Sequence, residues 1–278
     1  MICDFIKIGQ NDAELRTFAT QNYSELCLPP RRAMLILPGG GYGFCSDREG
    51  EPIAKAFNAL GFNSFVLYYS LNEKAKFPTP LREASEARVY IKRNAERYHI
   101  DPEQVYVCGF SAGGHLAASL GTLWNTEDAA IPDMKPGENK PRGMVLAYPV
   151  ITVTGEYRNS YTADNIMGRH VEDGETGDDC DRYSPDKRVT KDTVPAFIWN
   201  TRDDDAVLTQ NSEMMVRALT DAGIPYEYHC FGHGPHGLAL ANYETHVLNK
   251  GYIIPEIARW PQMVLNWIET GERFGDFK

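Results

Sequence analysis

The sequence has 278 residues, with 28 lysines and arginines against 38 aspartates and glutamates, and a formal net charge of -10 at pH 7. This acidic balance argues against nucleic-acid binding, which depends on clustered basic side chains. Hydrophobic residues make up 42% and charged residues 24% of the chain, a composition that excludes intrinsic disorder and allows a sizeable core.

Short apolar runs alternate with segments of helical period, a pattern that predicts parallel strands joined by crossover helices. The predicted strands cover residues 33–37, 64–69, 105–108, 144–148, 196–200 and 226–231. Two apolar faces at helical spacing predict amphipathic helices that lie on the sheet. One face comprises Ala84, Ala87, Ile91 and Tyr98, and the other Ile257, Trp260, Val264 and Trp267.

A glycine-rich loop, Pro38-Gly39-Gly40-Gly41-Tyr42, follows the first predicted strand. Its glycines have no side chains that would block access to their backbone N–H groups. These N–H groups are therefore suited to bind an oxyanion, the negative oxygen that forms during acyl transfer. The alternative is a phosphate-binding loop, but no Lys-Ser/Thr follows and no G-x-G-x-x-G is present. The pattern therefore favours Gly40 and Gly41 as oxyanion donors.

Ser111 stands in Gly109-Phe110-Ser111-Ala112-Gly113, directly after the predicted strand 105–108 and before a helix of small residues. A G-x-S-x-G sequence between a strand and a helix is typical of a nucleophile elbow, in which the serine hydroxyl is lifted out of the sheet. The alternative is an ordinary glycine-rich turn. The flanking elements favour Ser111 as nucleophile, with the N–H of Ala112 as a third oxyanion donor.

Residues 152–193 interrupt the strand pattern, and Gly, Asp, Asn and Arg dominate there. A loop of this length without structure is unusual in a compact domain, so we expect a functional insertion with some structure of its own. At the carboxyl end of a parallel strand, it would overhang the site. Its tyrosines, Tyr157, Tyr161 and Tyr183, are candidates either to stack on sugar rings or to pack the insertion onto the body.

A nucleophilic serine needs a base and an acid, and both are sought after the later strands. Asp203, Asp204 and Asp205 follow the predicted strand 196–200, where an acidic triplet is ordinarily a solvated turn. The chain order Ser, acid, His selects one member of this triplet as the acid. His236 follows the last predicted strand and is the candidate base, with His233 as its rival. His115 is expected to be a structural residue on the helix behind the nucleophile.

The cysteines and the N-terminus bear on the compartment. Six cysteines occur without a C-x-x-C pair and are interpreted as reduced, core-filling thiols. They are Cys3, Cys27, Cys45, Cys108, Cys180 and Cys230. The N-terminus lacks a basic segment leading into a long apolar one, and no apolar run reaches about 18 residues. We therefore expect a soluble, cytoplasmic protein, unless a leader has been removed.

Several motifs together resemble one family. They are Pro38-Gly39-Gly40-Gly41-Tyr42, Glu51-Pro52-Ile53-Ala54, Phe65-Val66-Leu67-Tyr68-Tyr69, the elbow from Gly109 to Ala118, Tyr148-Pro149-Val150, Ser184-Pro185, Gly234-Pro235-His236-Gly237 and the tail around Trp267. The chain after residue 33 is thereby similar to the α/β-hydrolase superfamily, and more narrowly to its small bacterial esterases of the hormone-sensitive-lipase and acetylxylan-esterase type. Members often carry D-x-x-V-P at the acid. Here Asp204 keeps the spacing to Val207, so the match selects Asp204, while Leu208 in place of proline keeps Asp203 as the alternative.

The resemblance implies an α/β-hydrolase fold, a mostly parallel central sheet flanked by helices on both faces. No linker or repeat divides the chain, so residues 1–278 are expected to form a single domain with a cap-like insertion at about 152–193. The implied activity is that of a serine carboxylester hydrolase for short acyl groups, such as acetyl esters of sugars or xylo-oligosaccharides. The implied catalytic residues are Ser111, Asp204 and His236, with Gly40, Gly41 and Ala112 as the oxyanion hole.

No cofactor and no metal are expected for such a reaction. The expected partner is a small-molecule ester, such as an acetylated oligosaccharide, rather than nucleic acid or a membrane, and a homo-oligomer is left open. One alternative is a peptidase or acyl-peptide hydrolase of the prolyl-oligopeptidase kind, although nothing in the chain is long enough to be the usual gating domain. Another is a non-catalytic binding protein on the same fold, which usually lacks a member of the triad or an oxyanion glycine.

Overall fold

The computed structural model describes residues 1–11, 13–23, 25, 28–248 and 251–277. These residues form an eight-stranded sheet. Its strands are Phe5–Ile8 (β1), Ala13–Phe18 (β2), Arg31–Leu37 (β3), Phe62–Tyr68 (β4), Ile100–Phe110 (β5), Met144–Ala147 (β6), Ala196–Thr201 (β7) and Tyr226–Phe231 (β8). Their order across the sheet is β1-β2-β4-β3-β5-β6-β7-β8. β2 pairs antiparallel with β1 and β4, and all pairs among β3 to β8 are parallel.

Helices cover both faces of the sheet. They are Glu51–Ala59 (α1), Thr79–Arg93 (α2), Ala112–Leu123 (α3), Ser160–Met167 (α4), Asp178–Arg182 (α5), Gln210–Ala222 (α6) and Trp260–Phe274 (α7). α1 and α7 contribute to the core on one face, and α2, α3 and α6 to the core on the other. None of these helices, within the described ranges, is both long and apolar enough to cross a membrane.

The central strands are apolar on both sides because both sides are covered. In β3, Leu35 lies in the core beneath α2 and α3, and Ile36 lies in the core beneath α1 and α7. Successive side chains of a strand point to opposite faces, so a strand covered on both faces has a continuous apolar run. The architecture agrees with the predicted fold class, a mostly parallel sheet with helices on both faces.

The structure departs from the predicted elements at several places; the predicted strand 64–69 ends at Tyr68, for example, and Ile257 lies before α7 rather than on it. β1 and β2 were not predicted; they lie at one edge of the sheet, and β2 alternates buried and half-buried residues. The predicted strand 144–148 ends one residue earlier, because Tyr148 has a positive φ of 37° and leaves the sheet. Tyr98 is not on α2, which ends at Arg93; its ring packs against Phe65 from the following turn, with centroids 5.2 Å apart.

The five cysteines among the described residues are free thiols, but the expectation that they fill the core is only partly met. Cys108 and Cys180 are buried, and Cys45 is half-buried. Cys3 and Cys230 are exposed, so for these two the prediction of a core position was wrong. Cys230 lies on β8, the last strand in the order of the described sheet, which pairs with a neighbouring strand, β7, on one side only. Cys27 lies outside the described residues.

Candidate active site

Ser111 occupies a strained turn between β5 and α3. Its φ of 52° and ψ of −118° are rare for a residue with a side chain, and such strain is typical of functional sites. The turn closes tightly because Gly113 packs directly against the backbone: a Cβ there would collide with the carbonyl oxygens of Leu37 and Pro38. The sharp turn places the Ser111 hydroxyl at the carboxyl end of the sheet, and the residue as a whole is 9% exposed.

His236 contacts both Ser111 and Asp204. Its Nε2 lies 2.9 Å from the Ser111 Oγ, and its Nδ1 lies 2.7 Å from Oδ2 of Asp204. A carboxylate only accepts hydrogen bonds, so Nδ1–H donates to Asp204 and leaves Nε2 free to accept from the serine hydroxyl. The three side chains come from the loops after β5, β7 and β8, which meet at the carboxyl ends of the parallel strands.

Asp204 is buried and held by its own loop. Its Oδ1 accepts from the backbone N–H groups of Ala206 at 3.0 Å and Val207 at 2.9 Å, while its side chain is 0% exposed. These two bonds point the other carboxylate oxygen at His236. The spacing from Asp204 to Val207 thus has a geometric reason, since the carboxylate caps the turn that begins there.

The other two members of the acidic triplet lie away from Ser111. The Asp203 carboxylate accepts from Nδ1 of His233 at 2.6 Å, and the ring of His233 is 80% exposed. Asp205 is exposed. The structure therefore brings Asp204, and not Asp203, to His236, and it leaves the rival histidine His233 at the surface.

The glycine loop after β3 is held from several sides. Tyr69 donates its hydroxyl to the Pro38 carbonyl at 2.6 Å, and the Asn165 amide donates to the Gly41 carbonyl at 2.8 Å. Gly40 has a φ of 131°, a conformation that favours glycine. Among the described residues, no acceptor takes a hydrogen bond from the N–H of Gly40, Gly41 or Ala112. These donors are free to bind an incoming oxygen.

His115 ties three segments together behind the nucleophile. It is fully buried on α3, its Nδ1 accepts from the Tyr42 hydroxyl at 2.9 Å, and its Nε2 donates to the Tyr183 carbonyl at 2.7 Å. Burial lowers the pKa of His115 to about 4. The imidazole is therefore neutral near pH 7, and it has the structural place expected from the sequence.

Residues 152–193, which contain α4 and α5, contact both sides of the site. Asn159 donates to the Ala206 carbonyl at 3.0 Å, beside Asp204, and Asn165 donates to the glycine loop. The Tyr161 ring lies so close to Gly41 and Gly43 that a Cβ at either glycine would overlap it, and the side chain is still 56% exposed. Tyr183, in contrast, packs against Phe77 with centroids 5.3 Å apart.

Glu49 and Tyr148, two polar residues next to Ser111 and His236, were not singled out from the sequence as site residues. Glu49 is 3% exposed, and its two oxygens accept from the Gly39 N–H at 2.8 Å and the Tyr148 hydroxyl at 2.7 Å. Burial raises the pKa of Glu49, and the two hydrogen bonds oppose the rise. Nothing in the local sequence distinguishes Glu49 from its acidic neighbours Asp47 and Glu51.

Within the described part of the chain, no cluster of three or more His, Cys, Asp or Glu side chains has the arrangement of a metal site.

Comparison with known proteins gives a family and several relatives. A family model described as BD-FAE matches residues 29–219. The chain is 36% identical over 217 residues to endo-1,4-beta-xylanase B of Butyrivibrio fibrisolvens, which covers 77% of this chain and 33% of that protein. It is 28% identical over 219 residues to an acetylxylan esterase of Xylanibacter ruminicola, covering 77% of this chain and 42% of that protein. The chain thus spans less than half the length of these curated relatives.

A solved structure extends the likeness over the whole chain. A carboxylesterase from Lactobacillus plantarum WCFS1 superposes with a TM-score of 0.86 at 27% sequence identity, covering 100% of this chain and 99% of that one. The common architecture is therefore not limited to the segment that the family model matches.

Proposed function

The chain belongs to the BD-FAE family and has the α/β-hydrolase fold, and on that premise we propose that it is a serine carboxylester hydrolase acting on short-chain acyl esters. The observation that carries the proposal is the continuous chain of hydrogen bonds from Ser111 through His236 to Asp204. Beside it lie the unpaired N–H groups of Gly40 and Gly41, on a loop whose neighbours hold it in place.

In the proposed mechanism, His236 acts first as base and then as acid in each half-reaction. The Ser111 Oγ attacks the ester carbonyl while His236 Nε2 takes the hydroxyl proton, and the proton then goes to the leaving alcohol. Asp204 keeps the imidazole in the required tautomer and stabilises the imidazolium. The N–H groups of Gly40, Gly41 and Ala112 stabilise the oxyanion, where removal of a single donor typically costs a factor of about 10² to 10³ in rate. Water then releases the acyl group by the same route.

For the substrate, we propose acetyl esters of sugars or xylo-oligosaccharides. Support comes from the relatives, one named an acetylxylan esterase and one a xylanase, although each is more than twice as long as the matched segment. Further support comes from Tyr161, whose exposed ring beside the glycine loop offers a flat surface for a sugar ring. In this proposal, residues 152–193 act as a cap that contacts the loops on both sides of Ser111.

Replacement of the nucleophile tests the reaction. We expect Ser111→Ala to lower kcat for p-nitrophenyl acetate by about 10⁴-fold or more, because no other group in the site attacks the carbonyl. Circular dichroism and the unfolding temperature should remain close to those of the unsubstituted protein, and a fluorophosphonate should label the unsubstituted protein only. Turnover by the variant at nearly the original rate would contradict the assignment of Ser111.

A substrate ladder tests the alcohol and the acyl chain. Acetylated xylo-oligosaccharides are compared with p-nitrophenyl esters of increasing chain length and with peptide arylamides, using kcat/KM as the measure. We expect the acetyl ester of the sugar to be preferred over longer acyl groups and over arylamides. Faster cleavage of arylamides than of acetyl esters would favour a peptidase instead.

A further inference from the structure

A buried carboxylate lies directly beneath the site without being part of the hydrogen-bonded chain. Glu49 ends the short turn Asp47–Glu49, which connects the glycine loop to α1. Its Oε2 and the Cβ of Ser111 both lie within 3 Å of the point where a Cβ on Gly39 would stand. Glu49, Gly39 and the nucleophile are therefore packed against one another.

One oxygen of Glu49 holds the glycine loop. Oε2 accepts from the Gly39 N–H at 2.8 Å, and on the other side of the same residue the Gly39 carbonyl accepts from the Ser46 N–H at 2.9 Å. Gly39 is thus clamped at both its N–H and its carbonyl by the segment 46–49. Because Gly40 and Gly41 follow directly, the clamp sets the direction in which their own N–H groups point.

The other oxygen of Glu49 holds the loop of the base. Oε1 accepts from the Tyr148 hydroxyl at 2.7 Å, and the same hydroxyl accepts from the Ala239 N–H at 2.9 Å, three residues after His236. The Tyr148 ring meets the His236 ring edge to face, with centroids 5.0 Å apart. Tyr148 therefore contacts both the imidazole and the backbone that follows it.

The carboxylate of Glu49 is buried beneath the site, so the free-energy cost of its burial must be compensated. Burial of an ionised group is unfavourable without compensation, and no salt bridge among the described residues involves Glu49. The group is satisfied by two donors instead. A carboxylate accepts at both oxygens, whereas a glutamine would turn its NH₂ group toward one of two donors.

We infer that Glu49 is a positioning residue for ester hydrolysis, whose two oxygens hold the oxyanion loop and, through Tyr148, the His236 loop in one fixed relation. The inference rests on the proposed function. Such a role acts when the carbonyl oxygen becomes an oxyanion and the imidazole transfers its proton, which are transition-state events, and contributes little to binding of the ground-state ester.

The test compares Glu49→Gln and Tyr148→Phe with Glu51→Gln as the matched control. Glu51 is an exposed neighbour that pairs with Lys55 on the surface of α1. With p-nitrophenyl acetate, we expect Glu49→Gln to lower kcat by about 100-fold with KM within about twofold, because a misaimed donor weakens only the transition state. Tyr148→Phe, which breaks one of the two links, should lower kcat by about 10-fold. Glu51→Gln should leave both parameters unchanged.

A double variant tests the link between Glu49 and Tyr148. If Glu49 acts partly through the Tyr148 hydroxyl, Glu49→Gln combined with Tyr148→Phe should lower kcat by less than the product of the two single losses. Unfolding temperatures are measured for every variant. If Glu49→Gln does not fold, the positioning role is tested with Tyr148→Phe alone, by whether the loss of activity appears in kcat or in KM.

Different results overturn the two proposals. A Glu49→Gln variant with unchanged kcat, a loss confined to KM, or an equal loss in Glu51→Gln overturns the positioning role while ester hydrolysis stands. If the unsubstituted protein does not turn over acetyl esters although a fluorophosphonate labels Ser111, both the proposed function and the inference that rests on it fall.

Discussion

Two histidine–aspartate pairs join the same two loops, those after β7 and β8. His236 bonds Asp204 at 2.7 Å, and His233 bonds Asp203 at 2.6 Å, so the hydrogen bonds themselves are nearly equal. Their surroundings differ. The side chains of the first pair are 23% and 0% exposed, whereas those of the second are 80% and 43% exposed.

The difference lies in what surrounds each pair, and it separates the proposed catalytic base from an exposed histidine with a similar hydrogen bond. Asp204 is aimed by two backbone N–H groups, and His236 has Ser111 at its second nitrogen. The outer pair has neither; the hydrogen bond from His233, and then the one from Arg202, lower the pKa of Asp203, but this carboxylate lies in water. Water competes for both partners there and screens their charges.

Removal of the carboxylate charge from each pair gives the largest contrast. We expect Asp204→Asn to lower kcat for p-nitrophenyl acetate by about 10⁴-fold, because an amide beside Nδ1 favours the tautomer of His236 that cannot accept the serine proton. Asp203→Asn makes the same change in the adjacent residue and should leave kcat within about twofold, as expected for an exposed pair.

The comparison would break if the two variants lost the same activity or if Asp203→Asn lost more. Equal losses would contradict the different roles of the two pairs, and a larger loss in Asp203→Asn would mean that His233 takes the serine proton. His233→Gln and His236→Gln, measured under the same conditions, then identify which imidazole carries the proton.

A third imidazole sharpens the comparison because it is buried without a carboxylate. Burial lowers the pKa of His115 to about 4, whereas a histidine in an unfolded chain titrates near 6.5. Between about pH 6.5 and pH 4 the unfolded chain binds a proton that the folded chain does not, so the free energy of unfolding falls as the pH falls through this window. The full effect is about 3 kcal/mol.

Urea unfolding at a series of pH values measures this contribution. We expect the stability advantage of the unsubstituted protein over His115→Gln to shrink by up to about 3 kcal/mol between pH 7 and pH 4. Tyr42→Phe is the control, since it removes the hydrogen bond to Nδ1 but keeps the buried imidazole, and it should retain most of the pH dependence of the unsubstituted protein. A difference between the unsubstituted protein and His115→Gln that does not change with pH would contradict the buried neutral state.

The central elements were predictable because their signals are local. The apolar runs of β3 and β7 are continuous since both faces are buried, and Gly109 and Gly113 around Ser111 mark a turn that side chains would obstruct. β1 and β2 were missed because β1 is mostly exposed and only alternate residues of β2 are fully buried, so neither strand has the continuous apolar run of the central strands. Tyr98 matched the period of α2, but its burial comes from packing on β4 after the helix has ended.

By itself, the sequence predicted the order of the proposed reactive groups, Ser111, Asp204 and His236, with Asp203 as the alternative acid, together with the glycine loop and the alternation of strands and helices. The elbow and the glycine loop are patterns of a few neighbouring residues, whereas the choice of acid and base also used their order along the chain. Only the tertiary structure decided that Asp204 turns inward while Asp203 faces water, and that Glu49 reaches Tyr148, 99 positions away. The reason is physical: burial and hydrogen-bond partners are set where distant segments pack together. The local spacing to Val207 favoured Asp204 but left Asp203 open, and no local pattern marked Glu49.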